Sequence, residues 1–256
     1  MSSTKRKTIA FTIVAIWLAA ARYIFATDSL TVQSGETQTS LIELFTSEGC
    51  SSCPPAEKWM SALKTNPDLW KKVVPIAFHV DYWDHLGWRD RFSKLQFTER
   101  QRRYAAAWGG DSIYTPEFAL NGREWRGWFG GRAWPVAPEK VGALRVTLND
   151  RVNLTAEFVP RNTQPRALTL NVALLGNDLQ SDVARGENAG HKLRHDFVVL
   201  DLVKIHMAAA ANGWTGSATL PREFNGDKAT ALAAWVTATE TSSPMQATGG
   251  WLAPKK

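Results

Sequence analysis

The 256-residue sequence predicts an α/β domain built on a parallel sheet, lengthened by a helical insert and followed by an all-β, sandwich-like domain. Three observations lead there. The apolar run Leu41 to Phe45 passes through a short polar stretch into Cys50-Ser51-Ser52-Cys53, and Pro54-Pro55 then open a segment of good helix formers, Ala56 to Leu63. A second apolar run, Val73 to Val80, follows the turn Asn66-Pro67-Asp68, and strand, helix, strand in that order implies a right-handed parallel crossover. From Leu144 onward apolar and polar residues alternate, which is the period of half-buried strands.

The N-terminus reads as a secretory signal over residues 1–26. Lys5-Arg6-Lys7 precedes the fourteen-residue apolar run Thr8 to Ala21, and Ala19-Ala20-Ala21 and Ala26 offer small-residue cleavage sites. The run is short for a membrane span of ~20 residues; left uncleaved, it would be the chain's contact with a membrane. Export places the protein in the periplasm or outside the cell, where disulfides form and persist. The signal carries Lys5, Arg6, Lys7 and Arg22 and no acid, so its loss lowers the net charge by four, from +6 to +2. Arg100-Gln101-Arg102-Arg103 reads as solvated charge on a helix. No clustered basic face remains for nucleic acid.

Both cysteines of the chain lie in the one CxxC. Leu41 to Phe45 is apolar enough for a strand buried on both faces, and prolines are tolerated in a first helical turn. The first sulfur therefore sits at a helix N-terminus, where unpaired N–H groups and the dipole favour a thiolate. Cys50 is the expected nucleophile, with its sulfur accessible. Cys53 is the expected resolving thiol, turned inward beneath Trp59 or the Thr115-Pro116 loop, and protein thiols or disulfides are the substrates. Two other readings stay open: a structural disulfide in a non-enzymatic envelope binding protein, or a pair of thiolates holding a soft ion such as Cu(I). A zinc site needs about four ligands, and no second CxxC or Cys/His pair follows. Gly130-Gly131 lacks a nucleotide fingerprint. No metal or cofactor is expected.

The stretch Glu43-Leu44-Phe45-Thr46-Ser47-Glu48-Gly49-Cys50-Ser51-Ser52-Cys53-Pro54-Pro55-Ala56 resembles that of a bacterial secreted family of unknown function with a thioredoxin-like fold. Tyr114-Thr115-Pro116-Glu117-Phe118-Ala119-Leu120-Asn121-Gly122 resembles that family's second motif. The resemblance covers about residues 38 to 252 and implies a thioredoxin-like domain over 38–142. It also implies that the Thr115-Pro116 loop faces the CxxC and pairs with a bound peptide. Glu43 shares a strand face with Leu41 and Phe45. It stands one position from the buried acid of thioredoxins, which would fall on Leu44, so it serves either proton transfer or a structural salt bridge or hydrogen bond.

The remaining elements follow in order. Asp81, Asp84 and His85, at the end of the second strand, either hold a metal or move a proton, or Asp84 and Asp90 cap turns with His85 exposed. Residues 92–108 form the helical insert, with a capping box at Thr98-Glu99-Arg100-Gln101 and an apolar face of Phe97, Tyr104 and Trp108. Glu117 to Gly122 reads as a strand and a type I′ hairpin turn, and Pro116 at its start is compatible with a cis bond. Glu124 to Trp128 is a returning strand and Pro138 to Ala143 a short helix. In the second domain, 143–256, Val152, Leu154, Ala156 and Phe158 share one face, as do Leu168, Leu170, Val172 and Leu174, with a turn at Asn162-Thr163-Gln164-Pro165. Further strands are expected at about 193–206, 213–220, 231–239 and 247–252, with Trp235 and Trp251 in the core. The polar loop Arg185 to His191 is the candidate site of this half, through Glu187, His191 and His195, or it simply turns, with His195 a hydrogen-bonded histidine on the packed face beside Phe197 and Val199.

Overall fold

The computed structural model describes residues 29–161, 167–221, 228–239, 241 and 243–254. The expected signal segment and the expected turn at 162–165 lie outside them. In chain order the strands are β1 (Ser29–Gln33), β2 (Ser40–Thr46), β3 (Val73–His79), β4 (Glu117–Leu120), β5 (Arg123–Glu124), β6 (Gly142–Asn149) and β7 (Asn153–Pro160). They continue as β8 (Leu168–Gly176), β9 (Leu179–Asp182), β10 (Lys192–His195), β11 (Val198–Ala210), β12 (Gly213–Thr219), β13 (Ala229–Ala238) and β14 (Pro244–Trp251). The α-helices are α1 (Pro54–Ala62), between β2 and β3, and α2 (Leu95–Ala107), between β3 and β4.

The expected fold class is overturned. Twelve of the strands join in one mixed sheet, and only two α-helices form among the described residues, so there is neither a thioredoxin-like α/β domain with a helical insert nor a separate sandwich beside it. β2 and β3 pair in parallel as expected, with Ser40 opposite Val73, but β11 then lies parallel beside β3. The same long strand pairs antiparallel with β8 through nine residue pairs and, at its far end, with β12. The sheet thus runs without a break through residues on both sides of position 142. The cover that an α/β sheet draws from helices comes here largely from other strands. A period of two states which residues share a face; it does not state what covers that face.

β8 and β13 form a wall between two cores. Leu168, Leu170, Val172 and Leu174 share one face, as their alternation implied, and pack with Leu232, Ala234 and Val236 against Leu144, Val146, Leu154, Ala156 and Phe158. On the opposite face Ala173, Leu175, Ala231, Ala233 and Trp235 join the core of β2, β3 and α1. Trp251, expected in the core, is 43 % exposed and lies edge-on to Trp70.

Local differences have local causes. α2 starts at Leu95 after an extended Lys94, and Thr98 lies inside it, donating from Oγ1 to Asp81 Oδ1 at 2.6 Å instead of capping. The returning strand shrinks to β5 followed by a 3₁₀ turn at Gly127–Gly130, and no helix forms over 138–143. There the chain enters β6 through Gly142 at φ 115°, where an added Cβ would come within 2.1 Å of the Val159 carbonyl oxygen. Asn121 (φ 48°) and Gly122 (φ 79°) turn β4 into β5 with the left-handed pair that a type I′ hairpin needs.

Candidate functional site

Cys50 and Cys53 form a disulfide at the head of α1. Cys53 is the N-cap residue, and its carbonyl accepts from the N–H groups of Ala56 and Glu57. Both cysteines are 0 % exposed, so the expected accessibility of the Cys50 sulfur is not found, although Ser51 and Ser52 between them are exposed. The cover is the polar loop of the second half. Asn188 Nδ2 donates to the carbonyls of Glu48 (2.9 Å) and Cys50 (3.0 Å), and Glu187 Oε2 accepts from the N–H (3.0 Å) and Oγ (2.7 Å) of Ser51. Trp83 lies against Gly49, where an added Cβ would meet its Cβ at 3.0 Å. Its indole N–H donates to Thr115 Oγ1 at 2.8 Å.

Thr115-Pro116 is a cis peptide. Pro116 and Tyr114 line, with Ser52, Arg126, Trp128 and Phe129, an apolar cleft of about 500 Å³. Phe129 is 84 % exposed at its rim. Behind it Trp59 of α1 packs on Phe118 and Trp125 at ring separations of 5.3 and 5.2 Å. Glu117, the next residue of β4, is buried and accepts from Gln101 Nε2 at 3.2 Å. Burial pushes its pKa up to about 7. A carboxyl raised in the folded state binds more protons than in the unfolded chain, so it withdraws stability as pH rises from about 4.5 through about 7. Glu117→Gln should remove this loss, which is at most about 3 kcal/mol at 1.36 kcal/mol per unit. Urea unfolding at pH 5 and pH 8 measures it, and parallel pH profiles for variant and wild type would refute it.

Glu43 is buried on β2, but it faces α2. Its Oε2 accepts from Arg100 Nε at 2.6 Å and its Oε1 from the Tyr104 hydroxyl at 2.5 Å. Arg100, read from the sequence as solvated, is 3 % exposed. Its burial disfavours the charge, yet Glu43 keeps the guanidinium pKa raised. Asp84 accepts from the Asp90 N–H and Ser93 Oγ, a turn role, and His85 is exposed.

A buried polar cluster adjoins the disulfide that sequence reasoning did not assemble. Glu48 precedes Cys50, Glu57 lies in the first turn of α1, His79 ends β3, Asp90 lies in the following loop and His195 ends β10. His79 Nδ1 meets Asp90 Oδ2 at 2.6 Å, His195 Nδ1 meets Glu57 Oε2 at 2.5 Å, and His195 Nε2 lies 3.4 Å from Glu48 Oε1. Burial alone would lower the His195 pKa, but Glu57 and Glu48 push it up to about 10. Burial alone would raise Glu57; His195, and then His79, hold it below the usual carboxylate range. The loop candidate thus divides: Glu187 and His195 come to the CxxC region, while His191 is exposed. The available signals were an apolar strand ending in a histidine and acids on both sides of the CxxC.

No curated protein matches the sequence. Among solved structures, the chain is similar in fold to protein AGR_C_4864 from Agrobacterium tumefaciens, with a TM-score of 0.58, 24% identity, and coverage of 87% of this chain and 97% of that one. It is also similar to HBP35 of Porphyromonas gingivalis, with a TM-score of 0.55, 17% identity, and coverage of 86% and 76%. Identities this low speak to the fold alone. The profile of a family described as "Protein of unknown function (DUF1223)" matches residues 41–237, and the chain belongs to that family.

Proposed function

We propose that this protein is an exported thiol–disulfide oxidoreductase that exchanges its Cys50–Cys53 disulfide with protein thiols or disulfides. One observation carries the reading: the disulfide heads α1 beside an apolar cleft lined by Tyr114, Pro116, Trp128 and the exposed Phe129, which suits a peptide side chain. In the oxidising direction a partner thiolate attacks Cys50 Sγ, the Cys50–Cys53 bond breaks, and Cys53 leaves as a thiolate. A second partner thiolate then attacks the partner's sulfur in the mixed disulfide and releases Cys50. The partner dithiol loses two electrons and two protons, and the cysteine pair gains them. The reducing direction is the reverse. Glu43 has a structural role in this reading, because its two oxygens are held by Arg100 and Tyr104.

The full burial of both cysteines supports a second reading, a structural disulfide in an envelope binding protein. Titration of the full-length protein in thiol–disulfide buffers separates the two. A potential above about −300 mV is expected for an exchanging pair, whereas a structural disulfide lies below it. Under the first reading Cys53→Ser traps mixed disulfides and Cys50→Ser does not. Resistance to reduction together with no trapping by either variant would end that reading.

A further inference from the structure

The geometry points to a buried divalent transition-metal site of zinc type, formed by Glu57, His79 and His195. One donor atom from each of Glu57, His79 and His195 lies within 4.8 Å of the others, and all three residues are buried. The donors arrive from α1, β3 and β10, so their convergence is a product of the fold and not of a local motif.

The hydrogen bonds around the cluster leave Nε2 of His79 free. Asp90 engages Nδ1 of His79, which leaves Nε2 as the ligand nitrogen, the carboxylate–histidine arrangement that orients metal-bound imidazoles. That Nε2 makes no hydrogen bond although His79 is 1 % exposed. His195 Nε2 lies 3.4 Å from Glu48 Oε1. Glu57 Oε1 accepts from Thr46 Oγ1 at 2.6 Å, and its Oε2 meets His195 Nδ1 at 2.5 Å. A buried group left without a partner is costly, and His79 Nε2 is such an atom in a residue of this cluster.

Charge agrees with this. Glu48, Glu57 and Asp90 bring three carboxylates to two imidazoles, and among the described residues no lysine or arginine pairs with any of them. Two imidazoles and one carboxylate suit Zn²⁺ at about 2.0–2.2 Å, with a fourth position left open. The site is distinct from the two sulfurs and independent of whether they exchange.

The test uses the oxidised full-length protein, whose disulfide cannot offer thiolates. Dialysis against micromolar Zn²⁺ followed by elemental analysis should retain one ion per chain. Co²⁺ should give visible d–d bands without sulfur charge transfer. Cys50→Ser/Cys53→Ser should keep the ion and His79→Ala should lose it. Asp90→Asn, which keeps the shape of the side chain, should weaken affinity by about 10–100-fold. No retained ion, equal retention by His79→Ala, or loss of the ion with the cysteines would overturn the site. Should His79→Ala fail to fold, an unchanged affinity in Asp90→Asn overturns it equally.

Discussion

Replacing Asn188 by alanine should speed reduction of the Cys50–Cys53 disulfide about thirtyfold. Both cysteines are covered, and a reductant reaches sulfur only when the loop over them lifts. Asn188 is itself buried, and its amide holds the loop through the carbonyls of Glu48 and Cys50. Two hydrogen bonds at about 1 kcal/mol each set an opening cost of roughly 2 kcal/mol. When opening and closing are fast relative to attack, the reduction rate follows the open population. Glu187→Gln should matter less, since its contacts to Ser51 are exposed and solvent-screened. Reduction by a phosphine under native conditions, followed by mass shift after alkylation, reads both variants. Equal rates for Asn188→Ala and wild type would mean that the loop is not what shields the sulfurs.

Arg100→Met should destabilise the protein by about 3–5 kcal/mol, because it strands the Glu43 carboxylate inside the core. The guanidinium also donates to the Tyr104 hydroxyl at 2.9 Å and lies 5.2 Å from the Trp235 ring centre, so the pair joins α2 to both β2 and β13. The informative control is the double variant Arg100→Met/Glu43→Leu. Removing both charges removes the uncompensated one, and the double variant should recover most of the lost stability. Chemical denaturation measures all three variants. A double variant as unstable as Arg100→Met alone would show that packing, and not the stranded charge, dominates.

Features governed by neighbours in sequence were legible. Leu41 to Phe45 had to be a buried strand, Asn121-Gly122 a hairpin turn, and Leu168 to Leu174 one face of a strand, because period and turn chemistry act within a few residues. The misread residues depend on distant partners. Arg100 sits in a basic run, and only Glu43, 57 positions away, draws it inward. The loop at 185–191 stood out as polar, but nothing local ties it to a CxxC 138 residues upstream. The fold class failed for the same reason. Strand, helix, strand was correct through β3, whereas the strand beside β3 is β11. His79 ended an apolar strand, Glu57 looked like a helix former, and Asp90 read as a cap; their convergence exists only in three dimensions.

The distance along the chain between the CxxC and its cover also sets an order of events during synthesis. Chains emerge N-terminus first at roughly 5–20 residues per second. The 138 residues between Cys50 and Asn188 therefore take on the order of ten seconds to follow. For that interval the two thiols have no loop above them, and His195 has not yet reached Glu57. An oxidant that acts within that interval meets Cys50 and Cys53 bare and adjacent, before the loop can close over them.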